Sequence, residues 1–112
     1  MAEADLATKP SESQRLYSAW RRSMAEWELA QHGPDNVGRD LPEEDDARHC
    51  SATHAALMAF LLHPAADLGE LAHKLKVAER VEAHEFGEPE LMAAFADDAH
   101  RLAHGTERRR TA

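Results

Sequence analysis

Eight histidines, several of them three residues after an acid, are the first candidates for chemistry in this chain of 112 residues. Three pairs have this spacing: Asp46 with His49, Glu70 with His73, and Asp97 with His100. In di-iron helical bundles, Glu-x-x-His pairs project inward from facing helices and bind the metal. A metal centre here would therefore require these pairs to lie on buried helix faces.

Helical spacing predicts instead that these pairs face solvent. At about 100° per residue, His73 falls opposite the predicted apolar face of its helix, and His100 falls away from the apolar residues of its own. His100 and His104 are four residues apart and are candidate ligands for a divalent ion, but a structural site needs a third and a fourth ligand. We expect adventitious metal binding at most, and no cofactor.

Cys50 and His54 lie one helical turn apart and are the candidate nucleophile and base. We predict that both lie on the buried stripe of the second helix, where a thiol lacks the exposure and the electropositive setting that activate it. His54 is predicted to be a core histidine that is hydrogen-bonded to a backbone carbonyl or to water. We therefore expect that the protein is not an enzyme.

An apolar stripe with two tryptophans marks the first helix. Trp20 and Trp27 are seven residues apart with Met24 between them, a spacing that places all three on one helix face. Such a stripe predicts a core position. The alternative is that these residues bind a partner chain, because tryptophans are enriched at interface centres, and that the protein forms a homodimer through this helix.

The chain is acidic, with a net charge of −8. Residues 1–104 carry 20 acids against 10 bases, whereas residues 105–112 carry three arginines against one glutamate. An acidic body is repelled by the phosphates of duplex DNA, so we expect no direct nucleic-acid binding. Acidic runs usually face solvent. The alternative is that Glu79, Glu82 and Glu85 bind a partner protein, by imitating nucleic-acid charge in a basic groove.

Capping signals divide the chain into four helices. Each segment opens with a capping residue or an early proline, and three close at a glycine, which readily adopts the left-handed C-cap conformation. The predicted helices run from Ser11 to Gly33, from Asp40 to Pro64, from Asp67 toward Gly87 and from Pro89 to Gly105.

The buried stripe of each helix follows spacings near three and four. Glu70 and Lys74 are predicted to form a favourable i,i+4 pair on the third helix. In chain order the predicted stripes are Leu16, Trp20, Met24 and Trp27; Ala47, Cys50, His54, Leu57, Met58 and Leu61; Leu68, Leu71, Leu75 and Ala78; and Leu91, Phe95, Ala99 and Leu102.

Composition favours an all-α fold, since 22 residues are alanine and only six are aromatic. Short connections predict antiparallel neighbours, and an up-down four-helix bundle is the simplest arrangement. We predict a flexible lead over 1–10, one helical domain over 11–105 and a basic tail over 106–112. The alternative is a three-helix unit over 40–105, with the first helix packing on a second chain.

Compartment follows from what the sequence lacks. No apolar run approaches the roughly 18 residues that span a membrane, and the single cysteine cannot form an internal disulfide. Residues 1–10 lack the basic and apolar regions of a signal peptide. We expect a cytoplasmic protein with no membrane contact.

The C-terminal half resembles short alanine-rich helical proteins of proteobacteria and their prophages. The similar stretches are 63–68 and 71–75, then an acidic helix and 98–102. The resemblance implies an origin in a mobile element. That family has no known function, so the resemblance assigns no functional residue.

These observations predict a non-enzymatic, acidic helical protein that regulates a protein partner by occupying its surface. The supporting features are the lack of a catalytic constellation, the acidic body and the Trp-bearing first helix. The alternative is a metal- or ligand-binding helical bundle that uses surface histidines.

Overall fold

The computed structural model describes residues 9–34 and 40–111, with side chains as far as residue 105. Over these residues the protein is all-α and has no strand, which confirms the predicted fold class. Its elements are α1 (Glu12–His32), α2 (Glu43–Leu62), α3 (Leu68–Arg80), a 3₁₀ turn (Ala83–Phe86) and α4 (Pro89–Thr111). None of these helices is long and apolar enough to cross a membrane.

The predicted helix starts at Ser11 and Asp67 are confirmed. Ser11 Oγ accepts from the Gln14 amide at 3.1 Å, and Gln14 Oε1 accepts from the Ser11 amide at 2.8 Å, which completes a capping box. Asp67 Oδ1 likewise accepts from the Glu70 amide at 2.8 Å. Glu70 Oε1, however, accepts from the amide of Ala66 at 2.9 Å, one residue earlier than a capping box requires.

Helix α2 begins at Glu43, three residues after the predicted start at Asp40. The Pro42 carbonyl accepts from the Asp46 amide at 2.9 Å and so forms the first helical hydrogen bond. The helix ends at Leu62, before Pro64, as predicted. The predicted lead falls mostly outside the described residues, as does the part of the first loop at 35–39.

Helix ends differ from the predictions in three places. Gly33 is extended, with φ −75° and ψ 172°, rather than left-handed. A glycine is needed there because a Cβ would lie 2.2 Å from the Leu29 carbonyl oxygen. Helix α3 stops at Arg80, and Glu82 then adopts a left-handed φ of 55°. Helix α4 continues through Gly105 to Thr111, since one glycine weakens a helix by only about 1 kcal/mol.

The chain divides into two compact units between Phe60 and Leu61. In the N-terminal unit, α1 and α2 are antiparallel, because hydrogen bonds join Ser23 to Thr53 and Trp27 to Asp46. Helix α1 thus packs on its own chain, as the four-helix interpretation requires and the three-helix alternative does not.

The core of the N-terminal unit is centred on Trp20, which is 4% exposed, and on Leu57 and Phe60. The Tyr17 ring contacts both aromatic rings, at centroid distances of 5.7 Å to Trp20 and 5.5 Å to Phe60. These distances are typical of favourable tilted aromatic pairs. The tryptophan stripe is therefore core at Trp20, while Met24 is exposed.

The buried face of α2 is rotated from the predicted stripe. Thr53 and Phe60 are buried in addition to the predicted Leu57 and Leu61. Apolar residues, mostly alanines, surround much of this helix, so the sequence does not mark one face clearly. Of the other predicted stripe residues, Ala47 and Cys50 are exposed, and His54 and Met58 are half-buried.

The C-terminal unit contains α3, the 3₁₀ turn and α4. Its buried apolar residues include Ala65, Leu71, Val77, Ala83 and Leu91. The predicted seam of α3 is wrong at Leu68 and Leu75, both of which are exposed. The unit instead buries two charged side chains, Lys74 and Asp98, on the facing sides of α3 and α4.

Candidate functional site

A buried ion network joins α3, α4 and the connection that precedes α3. Lys74 Nζ donates to Asp98 Oδ2 and, at 2.5 Å, to the His63 carbonyl. Asp98 Oδ1 accepts from the Ala65 amide at 3.2 Å and from Arg101 Nη2 at 2.9 Å. Arg101 Nη2 also donates to the Ala65 carbonyl at 2.6 Å. We call these five residues the Asp98 network.

Both central charges of the Asp98 network are removed from water. Lys74 is 2% exposed and Asp98 is 3% exposed. Burial of a charge is costly unless the charge is paired and hydrogen-bonded, and each is paired here. Among the described residues, every buried side-chain nitrogen and oxygen has a hydrogen-bond partner.

The pKa of Asp98 lies below its usual value. Burial alone would raise it, but the hydrogen bonds from Lys74, the Ala65 amide and Arg101, together with the charge of Lys74, outweigh that effect. Asp98 is therefore a stable carboxylate at neutral pH. It is also inaccessible to an outside reactant, so the geometry favours a positioning role over acid–base chemistry.

Sequence reasoning missed this network. The predicted pair of Glu70 with Lys74 is wrong, because Lys74 bonds Asp98 and His63 while Glu70 bonds Ala66. A signal was present, since Lys74 lies three residues after Leu71 and three before Val77, on the apolar stripe.

Helix α4 carried the same signal. Asp98 lies seven residues after Leu91 and three after Phe95, which is stripe spacing. The prediction placed Ala99 on the stripe instead, and Ala99 is exposed. A charged residue at the spacing of the buried apolar residues of its helix therefore indicated a buried ion pair, and this indication was overlooked.

An open apolar groove of about 630 Å³ lies at the end of the C-terminal unit where α3 stops and α4 begins. Buried Ala78, Ala83 and Leu91 line it together with half-buried Phe95. Met92 also lines it and is 70% exposed. We call this feature the α3–α4 groove.

Two left-handed residues position the α3–α4 groove. Glu82 (φ 55°) precedes the 3₁₀ turn and Gly87 (φ 68°) follows it, so the chain reverses direction within a few residues. Ala83, the first residue of the turn, is thereby buried in the groove lining. No sequence signal marked Glu82 for this role, because positive φ is uncommon outside glycine.

The Asp98 network contacts the groove through one lining residue, Phe95. The Lys74 ammonium lies 5.9 Å from the centroid of the Phe95 ring, within the range of a cation–π contact, and Phe95 lines the groove. The network therefore fixes the pairing of α3 and α4 at the place where the groove is formed.

The predicted partner-binding residues fall in different units. Glu79 lines the groove, while Glu82 and Glu85 are exposed on the adjoining turn. Trp20, Met24 and Trp27 belong to the N-terminal unit. There Trp27 is half-buried, and its Nε1 donates to an Asp46 carboxylate oxygen at 2.8 Å.

The histidines do not converge on a metal site. His73 and His100 are exposed, as predicted, but Asp46 is half-buried and also accepts from Gln31 Nε2 at 3.3 Å. The rings of His100 and His104 lie 4.1 Å apart. Within the described part of the chain, no group of three or more His, Cys, Asp or Glu residues is placed to hold a metal ion.

The candidate catalytic pair of α2 differs from its prediction. Cys50 is exposed and His54 is half-buried, so the burial argument used against the thiol is wrong.

Chemically, the groove can accept apolar side chains, whereas the charges of the Asp98 network are covered. Comparison of the chain with protein-family models, with curated proteins and with solved structures found no match.

Proposed function

We propose that this chain is a non-enzymatic protein-interaction protein that regulates a partner by binding it through the α3–α4 groove. One observation carries the proposal, namely an apolar groove that is open at the surface and bears a methionine with 70% exposure. Contiguous exposed apolar surface often marks a site of protein–protein interaction in globular proteins. An action in the cytoplasm and an origin in a mobile element belong to the same proposal.

The side chains of the groove suit contact with a protein. Methionine is flexible and polarizable, so it adapts to differently shaped partners. Met92 is the most exposed large apolar residue in the described part of the chain. The half-buried Phe95 offers an aromatic surface beside it. Covering such apolar area contributes roughly 25 cal/mol per Å².

Photo-crosslinking tests the proposal. A photoreactive residue replaces Met92 in one variant and Leu68 in a matched control, since Leu68 is 67% exposed in the same unit but does not line the groove. We expect a discrete protein adduct from position 92 in living cells that is missing from position 68. Adducts from both positions, or from neither, would contradict groove binding.

A further inference from the structure

We infer that the α3–α4 groove binds an amphipathic helix of a partner protein that places two apolar residues, one turn apart, between lysines or arginines. This inference rests on the proposed function and specifies the chemistry of the partner. It is carried by the charges around the groove, by the length of the groove and by the kind of elements that form it.

The charge around the groove is negative. Glu79 and Glu88 line it, and Glu82 and Glu85 lie exposed on the adjoining turn. The described lining contains no lysine or arginine. A partner with basic residues beside its apolar anchors is therefore electrostatically complementary, which accelerates encounter and excludes acidic competitors.

Neighbouring basic side chains do not reverse this charge. His84 lines the groove, but its Nε2 lies 3.9 Å from a Glu85 carboxylate oxygen. Arg80 follows Glu79 at the end of α3, is exposed and does not line the groove. The acidic surroundings also disfavour nucleic acid and anionic lipid headgroups as occupants.

The length of the groove limits the size of the partner's motif. Its α4 side runs from Pro89 to Phe95, which covers about 9 Å of helix axis at 1.5 Å per residue. A docked helix rises about 5.4 Å per turn, so two anchors at i and i+3 or i+4 fit this length. A longer apolar stripe would extend beyond the lining.

Helices α3 and α4, the 3₁₀ turn and the two residues 87–88 that connect the turn to α4 form the whole of the described lining. An extended peptide gains affinity by pairing with an exposed strand edge, and the described residues offer no strand. Helix-in-groove docking needs only apolar side chains and a charged rim. The observations therefore favour a helical partner.

Selection of peptides from a displayed random library tests the inference on the full chain. Binders selected on the wild type are counter-screened on Met92→Glu and on a Glu79→Gln, Glu88→Gln double variant. The matched control is Glu26→Gln with Glu28→Gln, which removes the same charge from exposed positions of α1. Circular dichroism verifies that every variant retains its helicity.

We expect selected peptides to combine two apolar residues three or four apart with flanking lysine or arginine. Their Kd should rise about tenfold or more for Met92→Glu, because a hot-spot contact is lost, and about threefold for the Glu79 and Glu88 variant. The Glu26 and Glu28 control should leave the Kd unchanged. Added salt should weaken binding to the wild type more than to the double variant.

Other outcomes would distinguish failure of the helical-partner inference from failure of the proposed groove binding. Peptides that depend on Met92 but carry no basic residues overturn the inference and leave groove binding intact. The same holds if the Glu26 and Glu28 control weakens peptide binding as much as the Glu79 and Glu88 variant does. Peptides that bind Met92→Glu as well as the wild type overturn both. Failure to select any groove-dependent peptide also overturns both.

Discussion

The two units of this chain build their interiors from different chemistry. The N-terminal unit closes on aromatic rings, with Tyr17 in contact with both Trp20 and Phe60. The C-terminal unit places a paired ammonium and carboxylate, Lys74 and Asp98, between its helices. Aromatic packing depends on shape and ring geometry, whereas paired charges also require donors and acceptors at defined positions.

This difference matters because the groove belongs to the unit with the buried charges. Three hydrogen bonds join the network to the backbone of the preceding connection: Lys74 donates to the His63 carbonyl, Arg101 donates to the Ala65 carbonyl, and Asp98 accepts from the Ala65 amide. They fix the register of α3, α4 and the preceding connection. In the N-terminal unit, the polar bonds between α1 and α2 are part-buried, whereas the bonds of Asp98 to Lys74 and to the Ala65 amide are buried.

Removal of the buried carboxylate should give the largest effect. Asp98→Leu removes the carboxylate that neutralises the Lys74 ammonium and accepts from the Ala65 amide, and breaking a buried pair in this way costs about 3–5 kcal/mol of the free energy of unfolding. Urea denaturation measures the loss.

The double variant Lys74→Met with Asp98→Leu sharpens this test. It leaves no buried charge unpaired, and Arg101 is about half exposed and can reach water. We expect it to be more stable than Asp98→Leu alone. A double variant that is less stable than the single one would show that Lys74 does not depend on Asp98.

Truncation of the aromatic core of the N-terminal unit should rank next. Trp20→Ala removes a ring that is 4% exposed and should cost about 3–4 kcal/mol. Trp27→Ala removes a half-buried ring and its bond to Asp46 and should cost less, about 1–2 kcal/mol. Thermal or urea unfolding of the two variants gives the order.

Sedimentation of variants in the α1 stripe tests the alternative interpretation, a homodimer through α1. If the stripe joins two chains, Trp27→Ala or Met24→Ala should lower the apparent mass at a given concentration. A wild type that is monomeric at all concentrations would remove the dimer interpretation and leave the core interpretation.

Acid should weaken the C-terminal unit through Asp98. Its pKa is lowered in the fold, so its contribution to stability is complete above the unfolded value, about 3.9, and is lost as pH falls through the folded pKa. We expect Asp98→Asn to show a shallower decrease in stability below about pH 4 than the wild type. Asp97→Asn, its exposed neighbour, should follow the wild type.

Relief of backbone strain should give the smallest effect, and with the opposite sign. Glu82→Gly removes the cost of a left-handed side-chain residue and should raise the free energy of unfolding by about 0.5 kcal/mol. Glu85 lies three residues later and has no positive φ, so Glu85→Gly should lower the free energy of unfolding. Equal effects from both substitutions would argue against strain at Glu82.

The sequence predicted helix starts well because caps are local. Ser11 and Gln14, like Asp67 and Glu70, act within one turn, so their pattern can be read without knowledge of the fold. Helix ends were less predictable. Gly105 lies inside a helix, and the left-handed residue after α3 is Glu82 rather than a glycine.

The candidate site was less accessible to sequence reasoning than the fold. Lys74 and Asp98 are 24 residues apart, and their pairing depends on how α3 and α4 meet. Stripe spacing could have indicated that each was buried, but not which group it paired with. The groove depends on the turn at Glu82, which the sequence did not indicate. Of the residues that line the groove, only Glu79 was predicted to bind a partner.

Synthesis from the N-terminus gives the Asp98 network a direction in time. Lys74 is made 24 residues before Asp98, which at 5–20 residues per second is a delay of about 1–5 s. During that interval the ammonium lacks its carboxylate and remains hydrated, while residues up to Phe60 are already made. The growing chain therefore cannot display a finished α3–α4 groove until α4 has been translated.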